Sequence, residues 1–441
     1  MNDHDAPPQD APVHDASVFV ATCDLAGHVR GRSVPGSAAK SVMQRGVGWV
    51  PANLALPALG PIADNLFGST GDLRLLPDEA TTVDLAARAD LPAVRLVLAN
   101  QTKTDGSAWE CCPRTFAQNA LADLKAETGL DLISSFEHEF MIGDQPDAAA
   151  FSFARHRGIE PFGSELVDLV EKGGLAPETW LPEYGDGQFE ITLEPVSGIA
   201  SADRAIILRE LVRDLARQHD HHVTFAPLVD PDGSGNGVHV HLSLVDEHGE
   251  PALHDSTAPA GLSQIGQRFA AGILEHARAL LAVTAPSPIS YLRLTPHRWS
   301  AGGVFLAERN REALLRICPT STVGGGDPRR QYNLEFRAAD ATANPWLVLG
   351  VLARAGLAGI RSESPAPYIW PEDVTEDQLV EVESLPTNLA DALTAFENDE
   401  VVSAWFAPNL RTTMLAVRRA ELAATEGLSP ADQCRRFADV Y

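Results

Sequence analysis

The segment "ISSFEHEFMI", residues 133 to 142, constrains the fold more than any other stretch. Its β-branched and aromatic content reads as a strand. Side chains alternate along a strand, so Glu137 and Glu139 share one face and His138 takes the other. Two like charges at i and i+2 repel unless water solvates them or a cation lies between them. The segment is therefore either an exposed edge with solvated glutamates or one wall of a cation site. "VHVHLSL" repeats the pattern with His239 and His241 on a common face, as a pair of satisfied sheet histidines or as ligands.

Amphipathic helices alternate with such strands. "RTFAQNALADLKAETGL", "SADRAIILRELVRDLARQ", "GLSQIGQRFAAGILEHARALLAVT" and "NPWLVLGVLARAGLAGI" carry apolar residues at helical spacing. From "LADALTAFENDEVVSAWF" onward the chain reads as polar-faced helices. Ahead of these, "ASVFVATCDLAGHVRGRSVP" reads as a hairpin turning at Gly27. "STGDLRLLPDEATTVDL" and "PAVRLVLANQ" add short strands. A chain of 441 residues is too long for one ordinary core. The expected organisation is an arm over 1–16, a strand-rich domain over 17–110 and an α+β domain over 111–441.

Composition narrows the function. A net charge of −26 argues against a nucleic-acid backbone as partner, because that needs clustered Lys and Arg. No apolar run approaches the ~20 residues of a membrane span. The opening "MNDHDAPPQDAPVHDAS" lacks the basic and apolar regions of a signal peptide and is too polar and Pro-rich to pack, so a disordered arm on a cytoplasmic protein is expected. Lysine occurs only at positions 40, 103, 125 and 172, so most of the 34 basic residues are arginines, whose planar fork matches carboxylate and phosphate. The five cysteines show neither CxxC spacing nor a pairing pattern, which points to reduced, buried thiols.

Three further pieces carry acids and arginines. In "PEYGDGQFEITLEP", the Gly185-Asp186-Gly187 turn can fold Glu183 back beside Glu190. "GSGNGVHVHLS" has glycines at 233, 235 and 237 that let backbone approach a ligand closely, but no Gly-Lys-Ser/Thr follows, so it is not a Walker loop. "QYNLEFRAADATANPW" places Glu335 and Arg337 on one strand face, where a structural ion pair is the simplest local reading. Arg293 in "SYLRLTPHRW", with Arg311 and Arg316 in "ERNREALLRI", completes the set.

Taken together and in this order, the pieces resemble glutamine synthetase over nearly all of residues 17 to 441. The resemblance rests on "FEHEF", "EYGDGQFEI", "GSGNGVHVHLS", "SYLRL", "NREALLRI" and "LEFRAADATANPW". It implies a small β-grasp-like N-terminal domain and a large catalytic domain with a curved antiparallel sheet flanked by helices. It also implies ATP as co-substrate, L-glutamate, and two or more Mg²⁺ or Mn²⁺ ions per site, which carboxylates with one imidazole suit. Glu139, Glu183 and Glu190 match the ligands of one ion; Glu137, His239 and Glu335 match those of the other. Gly235, Arg293, Arg311 and Arg337 resemble the glutamate site. Arg311 and Arg316 resemble the clamp on the transferring phosphoryl group. His241, Ser243 and Glu178 fall toward the nucleotide. Arg311, Glu335 and Arg337 are the expected catalytic residues. The family also implies a homododecamer of two stacked hexamers, with active sites between subunits.

The sequence departs from the family at the ammonium site. Ammonia-using members carry a glutamate six residues after the arginine matched by Arg293; here that position is Trp299. The small domain reads "GVGWVPANLALPALG" where they carry an acidic "D-G-S-S" segment. Ammonium is protonated at neutral pH and needs a carboxylate to attract it and take its proton, whereas tryptophan offers an apolar wall and a π face. The expected acceptor is therefore an amine larger than ammonia, and the product a γ-glutamylamide. Glu308 is the candidate base if the register slips. An ordinary ammonia-dependent glutamine synthetase and a non-catalytic nucleotide- or glutamate-binding relative are the alternatives.

Overall fold

The hairpin expected at Gly27 forms: β1 (Ser17–Cys23) pairs antiparallel with β2 (Val29–Val34). The structure is a computed structural model that describes residues 16–441 apart from 89, 90, 144, 146, 147, 297 and 299. Of the expected arm only residue 16 is therefore described, and Trp299 lies outside the described residues. The first sheet continues through β3 (Val47–Trp49), β4 (Leu73–Pro77), β5 (Val83–Leu85) and β6 (Val94–Lys103). Its order is β2-β1-β6-β4-β3, with β5 also on β6. The β1–β6 pair is parallel, and its other pairs are antiparallel.

The second sheet is built on β7 (Asp131–Ile142), β8 (Pro177–Pro182), β9 (Gln188–Leu193), β10 (Val196–Ser197), β11 (Val223–Thr224) and β12 (Val238–Val245). It continues with β13 (Gly303–Glu308), β14 (Ala313–Ile317), β15 (Leu334–Phe336) and β16 (Ile369–Trp370). The order is β16-β13-β14-β15-β12-β7-β9-β8, with β10 and β11 completing the margins of β7. The site-bearing centre is antiparallel, as the resemblance implies. At one edge the β13–β14 and β13–β16 pairs run parallel.

Alternation does the work expected of it on β7. Leu132, Phe136, His138, Phe140 and Ile142 are buried on the core face, while Glu137 and Glu139 stay half-buried on the other. The apolar face is covered by helices Pro113–Thr128 and Ala200–Gln218, and Pro345–Arg361 packs against both. Between them Asp203 accepts from the fully buried Trp346 indole at 2.7 Å and from both Nε and Nη2 of Arg114. Arg114 also donates to Asp78, tying the small sheet to this core.

The long segment from 261 to 284 forms two helices rather than one, Gln264–Glu275 and Ala277–Thr284. The break falls at His276, whose Nδ1 lies 2.7 Å from Oδ2 of Asp399, the residue that caps the later helix Glu400–Ala404. All five cysteines are buried and unpaired, as composition suggested.

Candidate active site

Register brings the acids and the imidazole together. Glu137 on β7 stands opposite His239 on β12, and Glu139 stands opposite Glu190 on β9. Since each strand turns every second side chain to the same face, Glu137, Glu139, Glu190, His239 and His241 all face one cleft of about 970 Å³. The turn after β8 returns Glu183 to the same wall, held by its N–H on Gln188 O at 2.8 Å. Donor atoms of Glu137, Glu139 and His239 lie within 4.8 Å of one another, a group that draws on both expected ligand sets.

The electrostatics of this wall are those of a cation site. Burial, then the charges of Glu137 and Glu139, push the Glu190 carboxyl up to about 11. Burial and Glu139 push Glu183 up to about 7. Protein alone therefore leaves too much negative charge in one place, and protons relieve it where no cation does. Oxygen donors with a single imidazole suit a hard divalent ion such as Mg²⁺ or Mn²⁺, so the residues fit the expected metal. Hydrogen bonds from His239 (Nδ1 to Oε1, 2.9 Å) and His241 (Nε2 to Oε2, 3.2 Å) outweigh burial and hold Glu137 well below the usual carboxylate range.

Glu335 is held differently. Burial opposes its charge, but Arg337 and the nearby imidazoles win and hold it at about 2. Arg337 pairs with Oε1 and Arg316 Nη1 donates to Oε2 at 2.8 Å, while His239 Nδ1 lies 3.5 Å from Oε1. The ion pair read from "LEFRAAD" is thus present, inside the same cleft as the other candidate ligands.

Arg293, Arg311 and Gly235 also line the cleft. Arg293 is 3% exposed; its Nη2 donates to Ala338 O and Ala339 O, and its Nε has no hydrogen-bond partner among the described residues. A buried guanidinium with a donor to spare suits a carboxylate ligand. Gly235 answers to this arginine, since a Cβ there would lie 2.5 Å from Arg293 Cγ; one on Gly237 would lie 2.9 Å from His239 Nε2 and 3.1 Å from Arg293 Nη1. Three expected residues are placed elsewhere. Glu178 is exposed on β8, Ser243 donates to Tyr332 O at 3.0 Å, and Glu308 pairs with Arg309; none of them lines the cleft.

Sequence reasoning missed three residues here. Gln188 donates to Gly235 O at 2.8 Å and to Asn236 Oδ1 at 3.0 Å, fastening the glycine loop to β9. Buried Arg155 donates to Glu183 O, Gly185 O and Ala148 O, pinning the turn that carries Glu183. Arg298 donates to Gly233 O at 3.1 Å. Gln188 and Arg298 sat in stretches already singled out; the two arginines act on backbone carbonyls, which no local pattern announces.

Comparison with known proteins agrees with this geometry. The glutamine synthetase N-terminal domain profile matches residues 11–109, and the glutamine synthetase catalytic domain profile matches residues 110–435. The chain belongs to the glutamine synthetase family. Members are ATP-dependent ligases, and this chain is an ATP-dependent acid–amine ligase of that family. It is 33% identical over 435 residues to a gamma-glutamylpolyamine synthetase of Streptomyces coelicolor, covering 93% of this chain and 90% of that one. It is 30% identical over 367 residues to a glutamine synthetase of Methanocaldococcus jannaschii, covering 79% of each. A solved structure described as a novel glutamine synthase homolog superposes with a TM-score of 0.91 at 41% identity over the whole of both chains. A GmaS/ADP complex superposes with a TM-score of 0.79 at 25% identity over 94% of each. No described helix is long and apolar enough to cross a membrane.

Proposed function

We propose that the chain phosphorylates the γ-carboxylate of L-glutamate with ATP and joins the activated acyl group to an amine larger than ammonia. The reading rests on Trp299 and "GVGWVPANLALPALG", which stand where the resemblance to ammonia-using members leads one to expect acids. The similarity to a gamma-glutamylpolyamine synthetase over 93% of the chain supports it.

The chemistry explains the equipment. A carboxylate is a poor electrophile, because attack on it would have to expel oxide. In the first step a γ-carboxylate oxygen attacks the γ-phosphorus of ATP, ADP leaves, and an acyl phosphate forms. In the second, the amine attacks the carbonyl carbon as its free base, the bond from that carbon to the phosphate oxygen breaks, and the proton lost by the nitrogen leaves with the phosphate. Arg293, on the cleft wall, would hold the glutamate carboxylate. Arg311 and Arg316 offer positive charge to the phosphoryl group in flight. Glu137, Glu139, Glu183, Glu190, His239 and Glu335 would hold divalent ions, which supply charge neutralisation on the phosphate oxygens. His241, on the same wall, would face the nucleotide.

The described lining residues fall between 137 and 337, none of them in the small domain. That one-sided cleft supports an oligomer in which a neighbouring copy's small domain completes each site, in a ring assembly such as a dodecamer.

Phosphate release from ATP with Mg²⁺ and L-glutamate tests the reading. Ammonium is compared with methylamine, ethanolamine, putrescine, spermine and aniline. Turnover with an organic amine at least tenfold above that with ammonium is the expected outcome. A preference for ammonium returns the protein to glutamine synthesis.

A further inference from the structure

Two aromatic residues on the cleft wall carry none of the roles proposed above. Phe151 and Tyr184 meet edge to face, with ring centroids 4.7 Å apart and planes at 82°. Each remains about half exposed, at 49% and 53%, and both line the cleft that contains Glu139 and Glu183. Tyr184 directly follows Glu183, and its N–H donates to Glu183 Oε2 at 3.1 Å, so its ring starts beside the acidic wall.

The arrangement is built rather than incidental. Phe151 holds φ at +55°, a conformation that a bulky residue adopts only when its surroundings impose it. Arg155 supplies part of that imposition: one buried guanidinium donates to Ala148 O on the Phe151 side and to Glu183 O and Gly185 O on the Tyr184 side. Two loops distant in sequence are thereby stapled so that their rings touch inside the active-site cleft. A solvated pair of rings gains from any apolar chain laid over it.

Resting on the γ-glutamylamide reading, we infer that Phe151 and Tyr184 form the wall that selects the acceptor. The acceptor class they select is a primary amine on an unbranched methylene chain. Its nitrogen lies toward the acyl phosphate and its methylenes lie along the two rings. Each methylene buried there adds about three- to fourfold to kcat/KM.

The test is a chain-length series, from methylamine through ethylamine, n-propylamine and n-butylamine, read as the slope of log kcat/KM against carbon number. The wild-type protein, Phe151→Ala, Tyr184→Ala and Tyr184→Phe are compared. The wild type should rise about threefold per carbon. Both alanine variants should flatten to less than twofold per carbon, and Tyr184→Phe should keep the slope, since the ring and not the hydroxyl contacts the chain. If Phe151→Ala does not accumulate, Phe151→Leu carries the comparison with a reduced slope expected. A wild-type slope that survives both ring deletions overturns the inference and leaves the γ-glutamylamide reading standing. A wild-type protein that turns over ammonium and no organic amine overturns both.

Discussion

At the scale of single residues, the site depends on what glycine leaves out. Gly235 has ordinary negative-φ backbone, so a side chain there meets no strain of conformation; its obstacle is Arg293, whose Cγ and Cδ would lie 2.5 and 2.9 Å from a new Cβ. Gly235→Ala should therefore push Arg293 off the carbonyls of Ala338 and Ala339 and misplace its free Nε. The expected result is a KM for glutamate at least tenfold higher, with the KM for ATP changed less than threefold. Steady-state kinetics at saturating co-substrate would show it, and an unchanged glutamate KM would remove Arg293 from the glutamate site. The glycines were legible as a loop near a ligand, but their reason was not. Sequence shows a residue without a side chain, whereas the arginine that needs the space lies 58 positions away.

At the scale of elements, alternation was legible and pairing was not. The period of two placed Glu137 with Glu139 and His239 with His241 before any partner strand was known. That Glu137 faces His239, and Glu139 faces Glu190, follows from register between strands separated by scores of residues, which no short window contains. The same limit applies to the helix that divides at His276, where the imidazole meets Asp399, the cap of a helix more than a hundred residues on. The turn after β8 shows how an element can be held from outside. Arg155 is 7% exposed and donates to three carbonyls, two of them in that turn. Arg155→Met keeps the apolar stem and removes every guanidinium donor, so Glu183 O and Ala148 O lose the Arg155 donor, Gly185 O keeps only the Gln188 N–H, and Glu183 loses its fixed position. Because groups that orient a ligand set typically govern metal affinity by ten- to a hundredfold, half-maximal activation should need at least tenfold more Mn²⁺. A metal titration of activity decides it; an unchanged midpoint would mean that Glu183 is positioned by its own strand.

At the scale of the whole molecule, the two sheets are locked at the first hairpin rather than hinged. Leu25 and Ala26 are fully buried, Gly27 turns at φ +79° over the carbonyls of 341 to 343, and Asn344 donates to both Cys23 O and Asp24 O at 3.0 Å. Tyr441 donates its hydroxyl to Ala26 O and stacks its ring on His28 at 4.9 Å. The small domain should thus unfold with the large one, and the junction should carry a pH signature. Burial, then the charges of Arg213, Arg30 and Arg209 against the weaker pull of Glu210, lower His28 to about 3. The unfolded chain binds that proton near pH 6.5 and the folded chain does not. The stabilisation is therefore complete above about pH 6.5 and is lost as pH falls toward 3. Between pH 6.5 and 5 the loss should be on the order of 1–2 kcal/mol, allowing for solvent screening of a ring that is not fully enclosed. Asp24 and Glu421, raised chiefly by burial, act in the opposite sense, so the informative quantity is a difference between proteins. His28→Phe keeps the stack on Tyr441 and cannot take up the proton. Its melting temperature should fall less than that of the wild type between pH 7 and 5, and parallel curves for the two proteins would show that the imidazole is solvated enough to titrate normally.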